Sequence, residues 1–269
     1  MDFRQQRSLG RTGLMVGRLG IGASYGVPAD AIEMAFHEFG INYLYWGSMR
    51  RPGMRDAIKH LAPQHREQLV IAFQSYDRTG FFMGRRHERG LRMLGIERAD
   101  VLILGWHNKP PAPRIIDAAM KLKSTGKVRF IALSGHHRPL FGRLIKTGEL
   151  PIDIFMIRYN AAHRGAETEI FPFLPQENRP GITCYTATRW GSLLDPKKMP
   201  GGELPLTAAD CYRFVLSHPD IDLCMTGPAN RAQLEQGLRA LDRGPLDDTE
   251  LARAKRIGDA VRQRALMGK

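Results

Sequence analysis

The sequence predicts a (β/α)8 TIM barrel with an N-terminal β-hairpin and a C-terminal helix, one domain spanning residues 1–269. Three observations lead there. After a short hairpin come eight apolar strand segments rich in Ile, Val and Leu. Their hydrophobicity is unbroken rather than alternating, as in a parallel sheet covered on both faces. Each is followed by helix-spaced residues or a loop with room for a helix, and eight such units suit a chain of 269 residues. A doubly wound parallel sheet would give the same pattern. Against it, the first strand runs into Gly20–Tyr25 (GIGASY), which lacks the G-x-G-x-x-G of a dinucleotide-binding turn.

The elements follow in order. Arg4–Leu9 and Leu14–Gly20 read as the hairpin, around a G-R-T-G turn at Gly10–Gly13. Leu19–Gly22 is the first barrel strand. Ala29–Phe39 places Ala31, Ile32, Met34, Ala35 and Phe39 at helical spacing, and Gly40 closes that helix. Strand Tyr43–Tyr45 precedes helix Met54–Leu61, and the buried strand Leu69–Phe73 precedes the basic helix Gly84–Leu94. Strand Val101–Leu104 leads to helix Ala112–Thr125, and strand Val128–Leu133 to helix Arg138–Thr147. Strand Ile152–Ile157 is followed by a helix near Glu167–Leu174, then strand Ile182–Thr186 and helix Ala208–Ser217. Strand Leu223–Thr226, helix Arg231–Leu241 and the terminal amphipathic helix Asp247–Ala265, acidic at its start, complete the chain.

Composition narrows the function. Hydrophobic content of 43% and charged content of 25% are those of a soluble globular protein. No apolar run reaches transmembrane length and MDFRQQRSLG is not a signal peptide. Cys184, Cys211 and Cys224 lack metal spacing and have apolar neighbours, which suggests reduced thiols and a cytoplasmic protein. The net charge of +13 is spread over many helices without interleaved aromatics, so nucleic-acid binding is not expected. A basic surface attracting an anionic small molecule is the reading that remains beside plain solvation. Neither a membrane partner nor a metal site is expected, and the oligomeric state is left open.

The stretch Gly40–Arg50 (GINYLYWGSMR) organises the chain: a helix end, a buried strand and a turn where chemistry would sit. It resembles the aldo-keto reductase signature, in which G-I-N and two apolar residues lead to D-T-A and then Y-G. The opening Arg7–Gly22 (RSLGRTGLMVGRLGIG) is similar to the start of that family. Gly126–Ser134 (GKVRFIALS) resembles its G-K-I-R-x-I-G-V-S, Arg158–Asn160 (RYN) stands at its Y-N, and Gly227–Leu241 resembles its P-G-A-S-R-P-E-Q-L-E-E-N-L segment. The resemblance covers nearly the whole chain. It implies a barrel, NADP and reduction of a carbonyl compound. Fold alone does not give function.

The resemblance also shows what has changed. Its proton-donating Tyr corresponds to Arg50, the Asp to Tyr45, the Lys to Gln74 and the His to Gly105. An offset of two would bring His107 near the His position. Of its nicotinamide contacts Ser134 survives, whereas Gly135, Met156 and Ala187 stand at the others, and Gly237 replaces an adenine-side Asn. Gly227, the helix start after it and Arg231 remain for a phosphate.

Residues at the strand C-termini are where chemistry is expected in a barrel. Tyr45, His107, His136 and Arg158 are therefore the candidate catalytic groups, and Ser134, Gly227 and Arg231 the candidate cofactor contacts. The Ser134–His137 cluster (SGHH) can supply an acid or base near neutral pH. Arg158 suits a carboxylate or phosphate through paired donors. Three functions compete. The first is a diverged NADP-dependent oxidoreductase. The second is a non-redox acid–base enzyme acting on an anionic substrate. The third is a catalytically silent binding protein.

Overall fold

The computed structural model describes residues 1–267. A two-stranded antiparallel hairpin, β1 (Arg7–Ser8) and β2 (Met15–Val16), precedes the barrel. The barrel strands are β3 (Leu19–Gly22), β4 (Tyr43–Trp46), β5 (Val70–Ser75), β6 (Ala99–Leu104), β7 (Val128–Ser134), β8 (Ile154–Arg158), β9 (Gly181–Tyr185) and β10 (Leu223–Thr226). All are parallel, in sequence order, and β10 closes the ring on β3. Around them run α1 (Ala29–Phe39), α2 (Pro52–His65), α3 (Gly80–Leu94), α4 (Pro113–Ser124), α5 (Arg138–Thr147), α6 (Ala166–Glu169), α7 (Ala208–Leu216), α8 (Arg231–Arg243) and α9 (Asp248–Met267). The expected (β/α)8 architecture with its hairpin and terminal helix is thus observed. Among the described residues no helix is long and apolar enough to cross a membrane.

Alternate residues of each strand fill the interior. Tyr43, Tyr45, Val70, Ala72, Val101, Ile103, Ala132, Ile154, Met156, Leu223 and Met225 form this inner layer. The opposite face of each strand joins the larger cluster beneath the helices. Gly20 and Gly22 are the small partners of the two large tyrosines. A Cβ on Gly20 would lie 2.9 Å from Met225 Sδ and 3.2 Å from the Tyr43 ring. Leu9, Leu14 and Val16 of the hairpin pack into the same inner layer and stop the closed end of the barrel.

A repeated device holds the register. Asn42, Asp100, Asp153 and Asp222 stand at the starts of β4, β6, β8 and β10. Each accepts a hydrogen bond from a backbone N–H of the preceding strand or of the residues leading into it, from Gly17 (3.0 Å), Ile71 (2.9 Å), Ile131 (2.9 Å) and Ile182 (2.9 Å) in turn. Arginines and a lysine complete the carboxylates. Arg66 and Arg129 pair with Asp100, Lys123 with Asp153, and Arg7 and Arg179 with Asp222. The Asn of the G-I-N triplet is therefore structural, and its amide also donates to Met15 O and Gln68 O.

Several boundaries differ from expectation. The hairpin strands are short, because Leu9 and Leu14 turn into the barrel and Leu19 already pairs with β10. The hairpin turn is a 3-10 turn at Gly10–Thr12, closed by Thr12 Oγ1 donating to Leu9 O at 2.7 Å. Helix α2 runs through Pro63 to His65 rather than ending at Leu61. The helix expected near Glu167–Leu174 is split into α6 and a 3-10 turn at Phe171–Phe173, where Pro172 lacks the N–H to continue it.

Removing one of the register carboxylates tests its weight. Asp222 is fully buried and holds an N–H and two guanidiniums. Asp222→Ala should lower stability by about 3 kcal/mol in urea unfolding. Asp222→Asn, which keeps an acceptor for Ile182 N–H, should cost less.

Candidate active site

The strands deliver side chains to one open end, where a cavity of about 720 Å³ lies. Gly22, Tyr45, Gln74, Ser134, Met156, Tyr185 and Met225 reach it from seven of the eight strands. On one side it extends past the loop after β9. On the other it runs along Gly227–Ala229 to Gln233 and Gln236 in α8. Among the described residues no Lys, Arg, Asp or Glu lines it, in a chain of net charge +13.

Tyr45 forms the floor. It is only 9% exposed, and burial, followed by the neighbouring Tyr76 phenol, pushes its pKa well above the ordinary tyrosine value. The group is a neutral phenol at any physiological pH. Gly47 is required beside it, since a Cβ there would lie 2.5 Å from Tyr45 Oη. Gln74, the next inward residue after Ala72, carries an uncharged amide where the resemblance expects an ammonium. A Cβ on Gly105 would meet Gln74 Nε2 at 2.5 Å and the Tyr76 ring at 2.8 Å. The side chains of Gln74 and Tyr76 thus occupy the space that a histidine at position 105 would need.

Aromatic rings frame the opening. Trp106 lies edge-on to Tyr76 with ring centroids 5.8 Å apart, and tilted against His136 at 6.1 Å. His136 stacks on Tyr185 at 6.0 Å. The Tyr185 hydroxyl donates to Gly135 O at 3.2 Å, so its side chain crosses the top of β8. Trp106, Thr186, Arg189 and Trp190, all on mouth loops, have left-handed backbone with φ between 51° and 58°. Such strain in non-glycine residues is retained where surrounding contacts over-determine it, and it clusters at functional sites. Asn160, fully buried, holds the Thr186 carbonyl through its amide at 2.8 Å.

The predicted residues separate into two groups. Tyr45, Ser134, His136 and Gly227 come together on the cavity wall. The His136 imidazole is lowered from its usual pKa by burial and by Arg158, so it is neutral at pH 7. His107, Arg158 and Arg231 are not on the wall. His107 is buried behind it, pushed down to about 4 by burial and by Arg78, and its Nε2 has no partner. Its role here is local: its backbone N–H donates to Ser134 O at 2.8 Å. Arg158 ends β8, paired in register with Tyr185 of β9. Arg231 is exposed on the first turn of α8, paired with Glu235 (2.9 Å) and Asp30 (3.3 Å). Arg50 is exposed and off the wall.

Sequence reasoning missed Tyr25, Trp106, Tyr185 and the α8 glutamines as wall residues. For Tyr185 a signal existed, since it shares the inward alternation of Thr183 at a strand C-terminus. Tyr25 and the α8 glutamines reach the cavity only through tertiary packing.

A profile of the Aldo/keto reductase family matches residues 53–203. No curated protein matches the chain. Among solved structures, the holo form of aldo-keto reductase AKR11C1 from Bacillus halodurans superposes with a TM-score of 0.77 at 20% identity, covering 95% of this chain and 97% of that one. Its apo form gives 0.74 at 20% identity, covering 95% and 96%. PA4992 from Pseudomonas aeruginosa gives 0.68 at 19% identity, covering 89% and 97%. At these identities the structures share the fold.

The tight seat of Tyr45 is testable. Gly47→Ala should cost about 1–3 kcal/mol of stability by overpacking. In a Tyr45→Ala background the same change should cost little, and a double-mutant cycle in urea measures the difference.

Proposed function

The chain belongs to the aldo/keto reductase family, and from that premise we propose that it is a nicotinamide-dependent oxidoreductase acting on a small carbonyl compound, with Tyr45 as proton donor. The observation that carries this reading is the Tyr45 phenol, buried and protonated on the cavity floor beside the uncharged Gln74 amide. The donor set fits a nicotinamide dinucleotide. Ser134 and Thr186 offer hydroxyls, Gln74 and Gln233 amides, and Tyr185 an aromatic face. At the far end, beyond Gly227–Ala229, the first turn of α8 offers the backbone N–H groups of Arg231 and Ala232 to a phosphate, while the Ala229 and Gln233 N–H groups are held by Gln233 and Asn230 side chains. The ion pairs of Arg231 are solvent-exposed and weak, so a phosphate can displace them, which favours NADP as the cofactor.

When bound, such a cofactor supplies the hydride. The chain's own part is to hold the carbonyl oxygen against a donor and to keep water out. Tyr45 gives its proton to the oxygen as negative charge develops there. The rings of Tyr76, Trp106 and Tyr185 line the approach and lower the local dielectric, which strengthens that transfer.

One observation favours a second reading. Among the described residues no cation lines the cavity to bring Tyr45 towards neutrality, and a phenol with a raised pKa is a weak general acid. On that reading the barrel does non-redox acid–base work through neutral His136, or binds a ligand without turnover.

Titration with NADPH and NADP⁺, read by fluorescence and calorimetry, separates the two. Binding in the micromolar range supports the oxidoreductase, and no binding up to about millimolar cofactor supports the second reading. Tyr45→Phe should lower kcat for carbonyl reduction by about a hundredfold or more with cofactor affinity unchanged. Because the raised pKa keeps the phenol protonated, reductive kcat should stay flat from about pH 6 to pH 9. A decline centred near pH 7 would point to another donor.

A further inference from the structure

Arg158 is the residue that the site as described leaves unexplained. It ends β8 with the same inward alternation as Ile154 and Met156, directly across the register from Tyr185. It is half-buried, and its Nε is sealed from solvent without a hydrogen-bond partner among the described residues. Three more arginines bear on the same spot. Arg138, at the start of α5, packs on Gly165, where a Cβ would lie 2.5 Å from its Nε. Arg189 sits in the strained loop after β9 and donates to Val261 O in α9 at 2.9 Å. Arg262 follows on that helix, and the charges of Arg158, Arg189 and Arg262 act on one another. His163 completes the group, lowered to about 4 first by burial and then by these arginines.

The nearby acids are already engaged. Glu169 holds Arg138 at 2.7 Å, Asp259 holds Arg164 at 2.8 Å, and Glu167 accepts from the Tyr159 hydroxyl at 2.7 Å. Among the described residues no carboxylate pairs with Arg158, Arg189 or Arg262. Placing a partly desolvated guanidinium among like charges is unfavourable unless an anion completes the set.

The geometry points to an oxyanion subsite, built by Arg158 with Arg189, Arg262 and Arg138, that receives the phosphate group of this protein's substrate beside the Tyr185–His136 wall. Planar guanidiniums match a phosphate through paired N–H donors, and three cations without acids favour a dianion over a single carboxylate. The subsite extends the mouth past its neutral aromatic cavity. It rests on reading that mouth as the active site and is independent of the redox chemistry proposed for it.

Thermal unfolding in inorganic phosphate, against sodium chloride of matched ionic strength, tests it directly. The wild-type midpoint should rise by about 2–4 °C in phosphate at several times its dissociation constant. Arg158→Gln should abolish the rise, and its midpoint in chloride should equal or exceed that of wild type, since an uncompensated cation has been removed. Arg158→Lys should keep part of the rise. Arg262→Gln, an exposed change on α9, should weaken it without affecting folding. NADPH titration of Arg158→Gln separates the source of the phosphate. Unchanged affinity, with the phosphate response lost, is the expected result. A fall in NADPH affinity of about tenfold or more would assign the subsite to the cofactor and overturn its assignment to the substrate. An equal phosphate response in wild type and Arg158→Gln, or none in wild type, would overturn the subsite itself. If NADPH does not bind but the phosphate response depends on Arg158, the redox reading falls and the subsite stands.

Discussion

Four hydrogen bonds at the closed end of the barrel set everything above them. Asn42, Asp100, Asp153 and Asp222 each capture an N–H of the strand before, at every second strand interface. A parallel strand that slipped by one residue would turn its inward side chains outward. Tyr45, Gln74, Ser134, Met156 and Tyr185 reach the open end only in the register that these contacts hold. Chemistry at one end of the molecule thus depends on capping at the other.

The same device explains part of the basic composition. Arg7, Arg66, Arg129 and Arg179 are counter-ions to the buried Asp100 and Asp222. Arg18 is almost wholly buried and donates to the carbonyls of Asp222, Leu216 and Ile221. Burial, with Arg7 nearby, pushes it down to about 10. These arginines serve structure rather than solvation or ligand attraction. Arg158, Arg189 and Arg262 lie at the opposite end without acids, which is why like residues there read differently.

The residues at the mouth form a consistent set when volume is considered. Tyr45 is a large side chain, and Gly22 and Gly47 leave it room. Gly105 has no side chain, and Gln74 and Tyr76 fill that space. The result is a cavity with aromatic and amide walls and, among the described residues, no charged lining. Proteins of one fold can host different chemistry, because the barrel fixes where side chains arrive and not which ones they are.

The sequence by itself determined the barrel. Unbroken apolar runs such as Val101–Leu104 can be buried only between two layers, and helix spacing with glycine ends, as in Ala29–Phe39 and Gly40, marks the covering layer. It also located Tyr45, Ser134, His136 and Gly227 at the mouth, because strand ends are local features. Only the tertiary structure decided the rest. Nothing in the linear pattern marks Asp100, Asp153 and Asp222 as register contacts until the neighbouring strand supplies the N–H that each one accepts. His107 and His136, three and two residues past their respective strand ends, part company because one ring turns behind the wall and the other stacks on Tyr185. Arg158, Arg189 and Arg262 are more than a hundred residues apart at their extremes and become neighbours only when α9 closes over the loop after β9. Side-chain direction and long-range pairing are properties of packing, and a linear pattern carries neither.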